Sequence, residues 1–164
     1  MELISSDTNI WIDFECVNSL YVPFKLQYNK YIISSDTFDA EVLSPAGLKA
    51  RLLEFGLLPV TTSDDEDTLT DRFKKHFDLS MYDRIALAIA KSRNIILLTE
   101  DGHLRKAALK ENVEVHGSLW IADEALHNEK ISSKTYKQLL EALSEHPRIR
   151  LPKAEITKRL ELLN

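Results

Sequence analysis

The sequence has little cysteine, glycine and proline and no long apolar run, so its composition is that of an ordinary globular domain. Cys16 is its only cysteine, which excludes an intrachain disulfide and makes a cytoplasmic location the expectation. No basic leader or cleavage site is visible at the start, and the longest apolar runs, such as 95–98, fall far short of the roughly 20 residues that cross a bilayer. With only 4 glycines and 5 prolines in 164 residues, low-complexity disorder is excluded. We therefore expect one folded domain with no membrane segment.

The sequence also has fewer positively than negatively charged side chains. Twenty-one Lys and Arg face 26 Asp and Glu, for a formal charge of −5. This balance argues against a large uniform basic surface of the kind that grips nucleic acid. It is compatible with a site that gathers carboxylates around a divalent cation, because the bound metal later offsets the repulsion of phosphate.

Short apolar runs alternate with helical periodicities as far as Gly117. Strands are predicted at 2–6, 31–33, 57–61, 95–98 and 113–115, and helices at 10–20, after 34–36, at 48–55, at 80–93 and after Gly102. This alternation predicts an α/β fold, a three-layer α/β/α sandwich with a central, mainly parallel sheet.

Beyond Gly117 the strand signals stop and helices are predicted at 119–126, 133–143 and 153–163. We interpret 1–117 as the core and 118–164 as a helical C-terminal tail. Since the tail is too short for a core of its own, it is expected to pack on the first part or to form a homo-oligomer surface.

The acidic run at 63–67 has two interpretations. It resembles a helix N-terminus, where negative charge is favourable, and the basic pair Lys74 and Lys75 follows at the other end. The less favoured interpretation gives Asp64, Asp65 or Asp67 a role in metal binding.

Four other acids are expected to share one edge of the sheet. Asp7 follows the first strand, Glu41 lies early in the helix after the second strand, Asp83 is in the first turn of a helix capped by Ser80, and Asp101 follows the strand at 95–98. In a parallel sheet, strand ends and helix beginnings cluster on one rim, where ligands bind.

The neighbours of Asp83 strengthen this interpretation. Ala86, Leu87 and Ala90 share its helical face, so the carboxylate should be partly buried and costly to ionise without a compensating cation. Oxygen-only ligands suit Mg²⁺ or Mn²⁺. Each acid also has a structural alternative: Asp83 as part of a capping box, Asp7 as a helix cap, Asp101 as a turn residue with Gly102, and Glu41 as a solvated helix residue.

Three segments together resemble the PIN-domain family. They are Ser-Asp-Thr-Asn at 6–9, Leu-Ser-Met-Tyr-Asp-Arg-Ile-Ala-Leu-Ala-Ile-Ala at 79–90 and Leu-Leu-Thr-Glu-Asp at 97–101, with an acid in the second helix. The resemblance covers 3–117, and the tail sequences at 131–134 and 148–152 resemble the helical C-terminus of a prokaryotic PIN-like subgroup. The segment 48–78 departs from a compact PIN domain and has no assigned role.

The resemblance implies a Mg²⁺- or Mn²⁺-dependent endoribonuclease, often the toxin of a toxin-antitoxin pair, with RNA as substrate and an antitoxin protein as partner. Carried over residue by residue, it makes Asp7, Glu41, Asp83 and Asp101 the catalytic and metal-binding acids. Thr8, Asn9 and Thr99 match the supporting polar positions, and Glu100 is an extra acid beside Asp101.

Basic residues flank these acidic motifs. Arg84, Arg105 and Lys106, with Lys91 and Arg93, are candidates for contacts to RNA phosphates. His103 is expected to be a surface residue with no catalytic role.

Two other functions remain open from the sequence. One is a phosphohydrolase of another α/β fold with Asp7 as nucleophile. The other is a PIN-like binding module that does not cleave.

Overall fold

A computed structural model describes residues 2–163 and contains a five-stranded parallel sheet. The strands are β1 (Glu2–Ser6), β2 (Asn29–Ser34), β3 (Leu58–Val60), β4 (Ile96–Leu98) and β5 (Val115–His116). Their order is β3-β2-β1-β4-β5, with Ile4 beside both Tyr31 and Ile96 at the centre. Because every strand runs in the same direction, all carboxyl ends lie on one edge. The predicted parallel sheet is confirmed.

Helices fill the connections between the strands and form the C-terminal region. They are α1 (Thr8–Cys16), α2 (Tyr21–Phe24), α3 (Ser35–Glu41), α4 (Leu48–Phe55), α5 (Asp64–Arg72), α6 (Met81–Arg93), α7 (Gly102–Lys110), α8 (Ser118–His127), α9 (Ser133–Glu145) and α10 (Lys153–Glu161), with a 3₁₀ turn at Phe73–Lys75.

The central strands bury both faces. Ile33 packs on one side, in the larger core with Trp11, whereas the adjacent Ile32 packs on the other side against Ile85 and Ile89 of α6. Successive strand side chains point to opposite faces, so each central strand needs apolar residues at consecutive positions. The three-layer α/β/α architecture follows from this.

The helical tail packs on the larger core. Leu139, Leu140 and Leu143 of α9 and Ile156 of α10 belong to that core, which also contains residues of α1 and β1. Arg159 of α10 adds a bidentate contact to Asp123 of α8, at 3.0 Å from Nε to Oδ1 and 2.9 Å from Nη2 to Oδ2. The division at Gly117 and the oligomer surface stay predictions.

Two predicted helices differ from the structure. The helix expected over 10–20 begins earlier and ends at Cys16, because Asn18 adopts a left-handed backbone conformation with φ of 53° that a continuing helix does not allow. The expectation that Glu41 lies early in its helix is wrong: α3 has only 7 residues and Glu41 is its last.

The segment 48–78 contributes an edge strand and two helices. It forms α4, then β3 paired with β2, then α5 packed against α6. At the start of α5, Ser63 and Glu66 form a reciprocal capping box, and Glu66, which is 2% exposed, pairs with Arg93 at 2.8 Å. The acidic run is therefore a helix N-terminus, as the favoured interpretation predicted.

Within residues 2–163, no helix combines the length and apolar character needed to cross a membrane.

Candidate active site

Asp7 lies at the carboxyl end of β1, where the chain enters α1. Its backbone occupies the N-cap position of α1, but its side chain accepts no capping hydrogen bond. Instead, Oδ2 of this 6%-exposed residue accepts a hydrogen bond of 2.9 Å from Oγ1 of the fully buried Thr99. The alternative in which Asp7 merely caps the helix with its carboxylate does not describe this geometry.

Thr99 connects two of the predicted acids. Its hydroxyl donates to Asp7 and accepts a hydrogen bond of 3.1 Å from the backbone N–H of Asp101. Its backbone carbonyl accepts a further bond of 3.1 Å from Nη2 of Arg105. Thr99 therefore holds the Asp7 carboxylate in a fixed position relative to the end of β4.

Glu41 reaches the same rim from the end of α3. Its Oε1 accepts a hydrogen bond of 3.0 Å from Oγ1 of Thr8, the residue next to Asp7. Thr8 is buried and Glu41 is exposed. A short helix thus brings its last residue to the rim, although the prediction had placed that residue near the beginning.

Asp83 and Asp101 both cap helices with one carboxylate oxygen. Oδ2 of Asp83 accepts from the backbone N–H of Ser80 at 3.0 Å, completing the predicted capping box of α6. Oδ1 of Asp101 accepts from the backbone N–H groups of His103 and Leu104 at 2.8 and 3.0 Å, at the start of α7. Within residues 2–163 the second oxygen of each carboxylate is left without a hydrogen bond.

The electrostatics of the rim link all four acids. Burial and, after it, the charges of Asp83, Glu41 and Asp101 together raise the pKa of Asp7 from 3.8 to about 7, against the opposing hydrogen bond from Thr99. Burial also raises the pKa of Asp83, and the charge of Asp101 adds to this, while hydrogen bonds from Ser80 and the charge of His103 oppose it. A cation at this rim would relieve the repulsion.

The donor chemistry fits a hard divalent cation, since the rim offers carboxylate oxygens and threonine hydroxyls. In the described part of the chain, however, no three Asp, Glu, His or Cys side chains converge closely enough to hold one ion. Asp83 and Asp101 each have one carboxylate oxygen engaged in capping a helix. Binding would therefore require carboxylates to move toward the ion.

Asn9, the third predicted supporting residue, points to the tail rather than to an acid. Its Oδ1 accepts a hydrogen bond of 3.1 Å from Nη2 of Arg148, whose Nε lies 3.7 Å from Oδ1 of Asp13. Asp13 is 7% exposed, and burial raises its pKa to about 6 against the opposing charge of Arg148. Sequence reasoning missed both residues. The signal for Asp13 was a charge three residues after Ile10, on the apolar face of α1.

Glu100 connects the rim to the tail. Its Oε1 accepts a hydrogen bond from the backbone N–H of Ser118 at the start of α8, and burial raises its pKa. The carboxylate lies so close to Gly117 that a Cβ there would come within 1.7 Å of Oε1. Gly117 is thus needed for this contact, and Glu100 has a structural role beside its predicted one.

The predicted RNA-binding residues occupy different environments. Nη1 of Arg84 donates to the backbone oxygen of Thr70 at 3.1 Å, and Arg93 pairs with Glu66. Lys91 pairs with Glu111 at 2.8 Å.

Lys106 is exposed on α7 and has no hydrogen-bond or ion-pair partner within residues 2–163. Of the predicted set, Lys106 is the residue best placed to meet a phosphate.

A comparison with protein families finds one match that covers nearly the whole chain. A family model described as a PIN domain matches residues 3–164. The chain belongs to the PIN-domain family. The match extends through the helical tail, past the end of the resemblance at Gly117. PIN domains are generally nucleases and typically use divalent metals. No curated protein matches the sequence.

Proposed function

We propose that this PIN domain is a Mg²⁺- or Mn²⁺-dependent endoribonuclease with Asp7, Glu41, Asp83 and Asp101 as its acidic residues. The observation that carries the proposal is the environment of Asp7. Its carboxyl is buried, held by Thr99 and raised in pKa to about 7 with contributions from the other three acids. Groups with strongly perturbed pKa values at a strand-end rim are candidates for catalysis.

In this proposal, some residues bind the divalent ion and others orient the residues that bind it. Asp7 would be the central ligand, fixed by Thr99, and Thr8 would orient Glu41 toward the same ion. The uncapped oxygens of Asp83 and Asp101 would complete the donor set. A bound divalent ion lowers the pKa of a coordinated water and neutralises charge on the scissile phosphate.

The geometry disfavours a phosphohydrolase that uses Asp7 as a nucleophile. Asp7 is 6% exposed, and one of its carboxylate oxygens is hydrogen-bonded to Thr99. A nucleophilic carboxylate needs to be ionised and open to the phosphorus atom.

The test is cleavage of a mixed pool of structured RNAs by purified protein, with Mn²⁺, with Mg²⁺ and with a chelator. Asp7→Asn removes the central charge and keeps the shape, so we expect it to abolish metal-dependent cleavage. Asp65→Asn is the matched control, because Asp65 is an exposed aspartate of α5. It should cleave like wild type.

Two outcomes would contradict the proposal. Equal cleavage by the Asp7 and Asp65 variants would mean that a contaminant or another site is responsible. No cleavage by wild type under any condition, together with no binding of Mn²⁺ by calorimetry, would favour the non-catalytic binding module instead. The toxin role and the antitoxin partner stay predictions from the family resemblance.

A further inference from the structure

Next to the acidic rim lies a small cleft that we call the Phe77 cleft. It is bounded by residues 75–79, which lead into α6, and by His103, Lys106, Ala107 and Lys110 of α7, and it encloses about 300 Å³. The four acids do not line it. Its composition contrasts with a chain whose formal charge is −5, because three lysines and two histidines face a single acid, Asp78.

Phe77 is the most exposed large apolar side chain of the described residues, at 95%. A phenylalanine ring left in water forgoes the stabilisation that burial would give. Its neighbours are firmly held: Phe73 is 2% exposed, and Nε2 of His76 lies 2.9 Å from Oε2 of Glu111. The ring is therefore presented to solvent by an anchored segment of chain.

Two cations of the cleft are available for a ligand. Lys75 is occupied by Glu111 at 3.0 Å. Lys106 and Lys110 are exposed and, within residues 2–163, their amines have no hydrogen-bond or ion-pair partner. They are four residues apart on α7, so both project from the same face of the helix. An exposed aromatic ring beside two unpaired amines fits a polyanion with flat apolar groups.

The cleft borders the acidic rim along α7. His103 lines the cleft and follows Asp101, the N-cap residue of α7, by two residues. Nδ1 of His103 also lies 3.5 Å from Oδ2 of Asp78, across the cleft. A chain of phosphates leaving the rim in this direction would meet Lys106 and then Lys110.

We propose that the Phe77 cleft binds the single-stranded RNA that flanks the cleaved bond, with a base stacked on Phe77 and phosphates at Lys106 and Lys110. This inference rests on the proposed function. Stacking on an exposed ring requires an unpaired base, whereas bases in a duplex are already stacked on each other. The cleft therefore selects single-stranded over double-stranded RNA.

The experiment measures binding by fluorescence anisotropy in a chelator-containing buffer, so that no cleavage is needed. The probes are a labelled unstructured 12-nucleotide RNA, its duplex and the DNA of the same sequence. Phe77→Ala should weaken single-strand binding about tenfold, and Phe77→Trp should retain it. Leu162→Ala is the control for loss of an exposed apolar side chain, since Leu162 is 78% exposed.

The lysines are tested by salt dependence. Lys106→Gln should lower the slope of log affinity against log salt by about 0.7, the amount expected for one phosphate contact on a single strand. Lys137→Gln, an exposed lysine of α9, should leave the slope unchanged. If the protein cleaves RNA, Phe77→Ala should raise KM and leave kcat near the wild-type value.

Several results would overturn the inference. These are wild-type affinity in Phe77→Ala, an equal loss of duplex binding, or absence of RNA binding by wild type. A dimer that depends on Phe77, with RNA affinity unchanged, would assign the patch to a protein interface. Equal affinity for the DNA probe would support the stacking and place the discrimination against DNA elsewhere. Wild-type affinity in Phe77→Ala, together with intact metal-dependent cleavage, would refute the inference alone, so its failure is distinguishable from failure of the proposed nuclease function.

Discussion

Replacing Asp7 with asparagine should change how folding stability depends on pH. In the folded protein the carboxyl has a pKa of about 7, against 3.8 for the unperturbed group, because it is buried and faces other acids. The folded state therefore holds the proton more tightly than the unfolded state. The contribution of protonated Asp7 to folding stability is fully present below about pH 4 and is lost as the pH rises through 7.

The size of the effect follows from the shift. Each pKa unit corresponds to about 1.4 kcal/mol. The unfolding free energy of wild type should therefore fall by roughly 3 kcal/mol relative to that of Asp7→Asn between pH 4.5 and pH 7.5. The new amide also carries two buried N–H donors, and leaving them unpaired costs on the order of 1–3 kcal/mol. That cost does not depend on pH, so the change with pH isolates the ionisation of Asp7.

The assay is urea denaturation of both proteins across this pH range in a chelator-containing buffer, followed by circular dichroism. A difference in unfolding free energy that stays constant with pH would refute the account of Asp7. In a second arm at pH 7.5, Mn²⁺ at ten times its dissociation constant should stabilise wild type by about 1.4 kcal/mol and the variant by much less. Equal stabilisation of both would show that the ion binds without Asp7.

Four further substitutions test the surroundings of the site. Thr99→Val removes the hydroxyl that lowers the pKa of the central carboxyl, so the pH at which metal-dependent cleavage is half-maximal should rise, as a pH-rate profile would show; an unchanged profile would contradict this. Ser80→Ala should cost about 1 kcal/mol of stability and retain cleavage. Asp83→Asn should lose cleavage but retain most of the stability, because the amide oxygen still accepts the capping hydrogen bond from Ser80. Thermal melts and cleavage rates distinguish the two variants. Gly117→Ala should displace the Glu100 carboxylate and break its hydrogen bond to the backbone of Ser118, which should cost about 1 kcal/mol in urea unfolding; an unchanged stability would contradict this.

Most of the secondary structure was predictable from patterns among neighbouring residues in the sequence. The helix at 80–93 was predictable because Ser80 and Asp83 form a capping box that is visible as Ser-x-x-Asp, and Asn94 ends the helix in a left-handed conformation. The strand at 95–98 was predictable from its apolar run between polar segments. The end of α1 and the short length of α3 were not predictable, because each helix ends at a single non-helical backbone conformation, at Asn18 after α1 and at Val42 after α3.

The candidate acids were recognisable for a related reason. Asp7, Asp83 and Asp101 lie at junctions between elements, and in a parallel sheet such junctions meet at one edge whatever the details of packing. The pairing of Arg148 with Asp13 was not recognisable. Their contact joins the tail to α1 across 135 positions of sequence, which no local pattern encodes.

The sequence by itself determined the alternation of strands and helices, the capping of α5, α6 and α7, and the choice of oxygen donors at the rim, because these depend on neighbours within a few residues. Tertiary structure alone decided which carboxylate is buried, which acids act on one another and which cations stay unpaired. Thr99 touches Asp7 only because β1 and β4 are adjacent in the sheet, and Lys106 is available only because no acid packs beside it in the described structure. Burial and long-range charge depend on distance in space, which the order of residues does not specify.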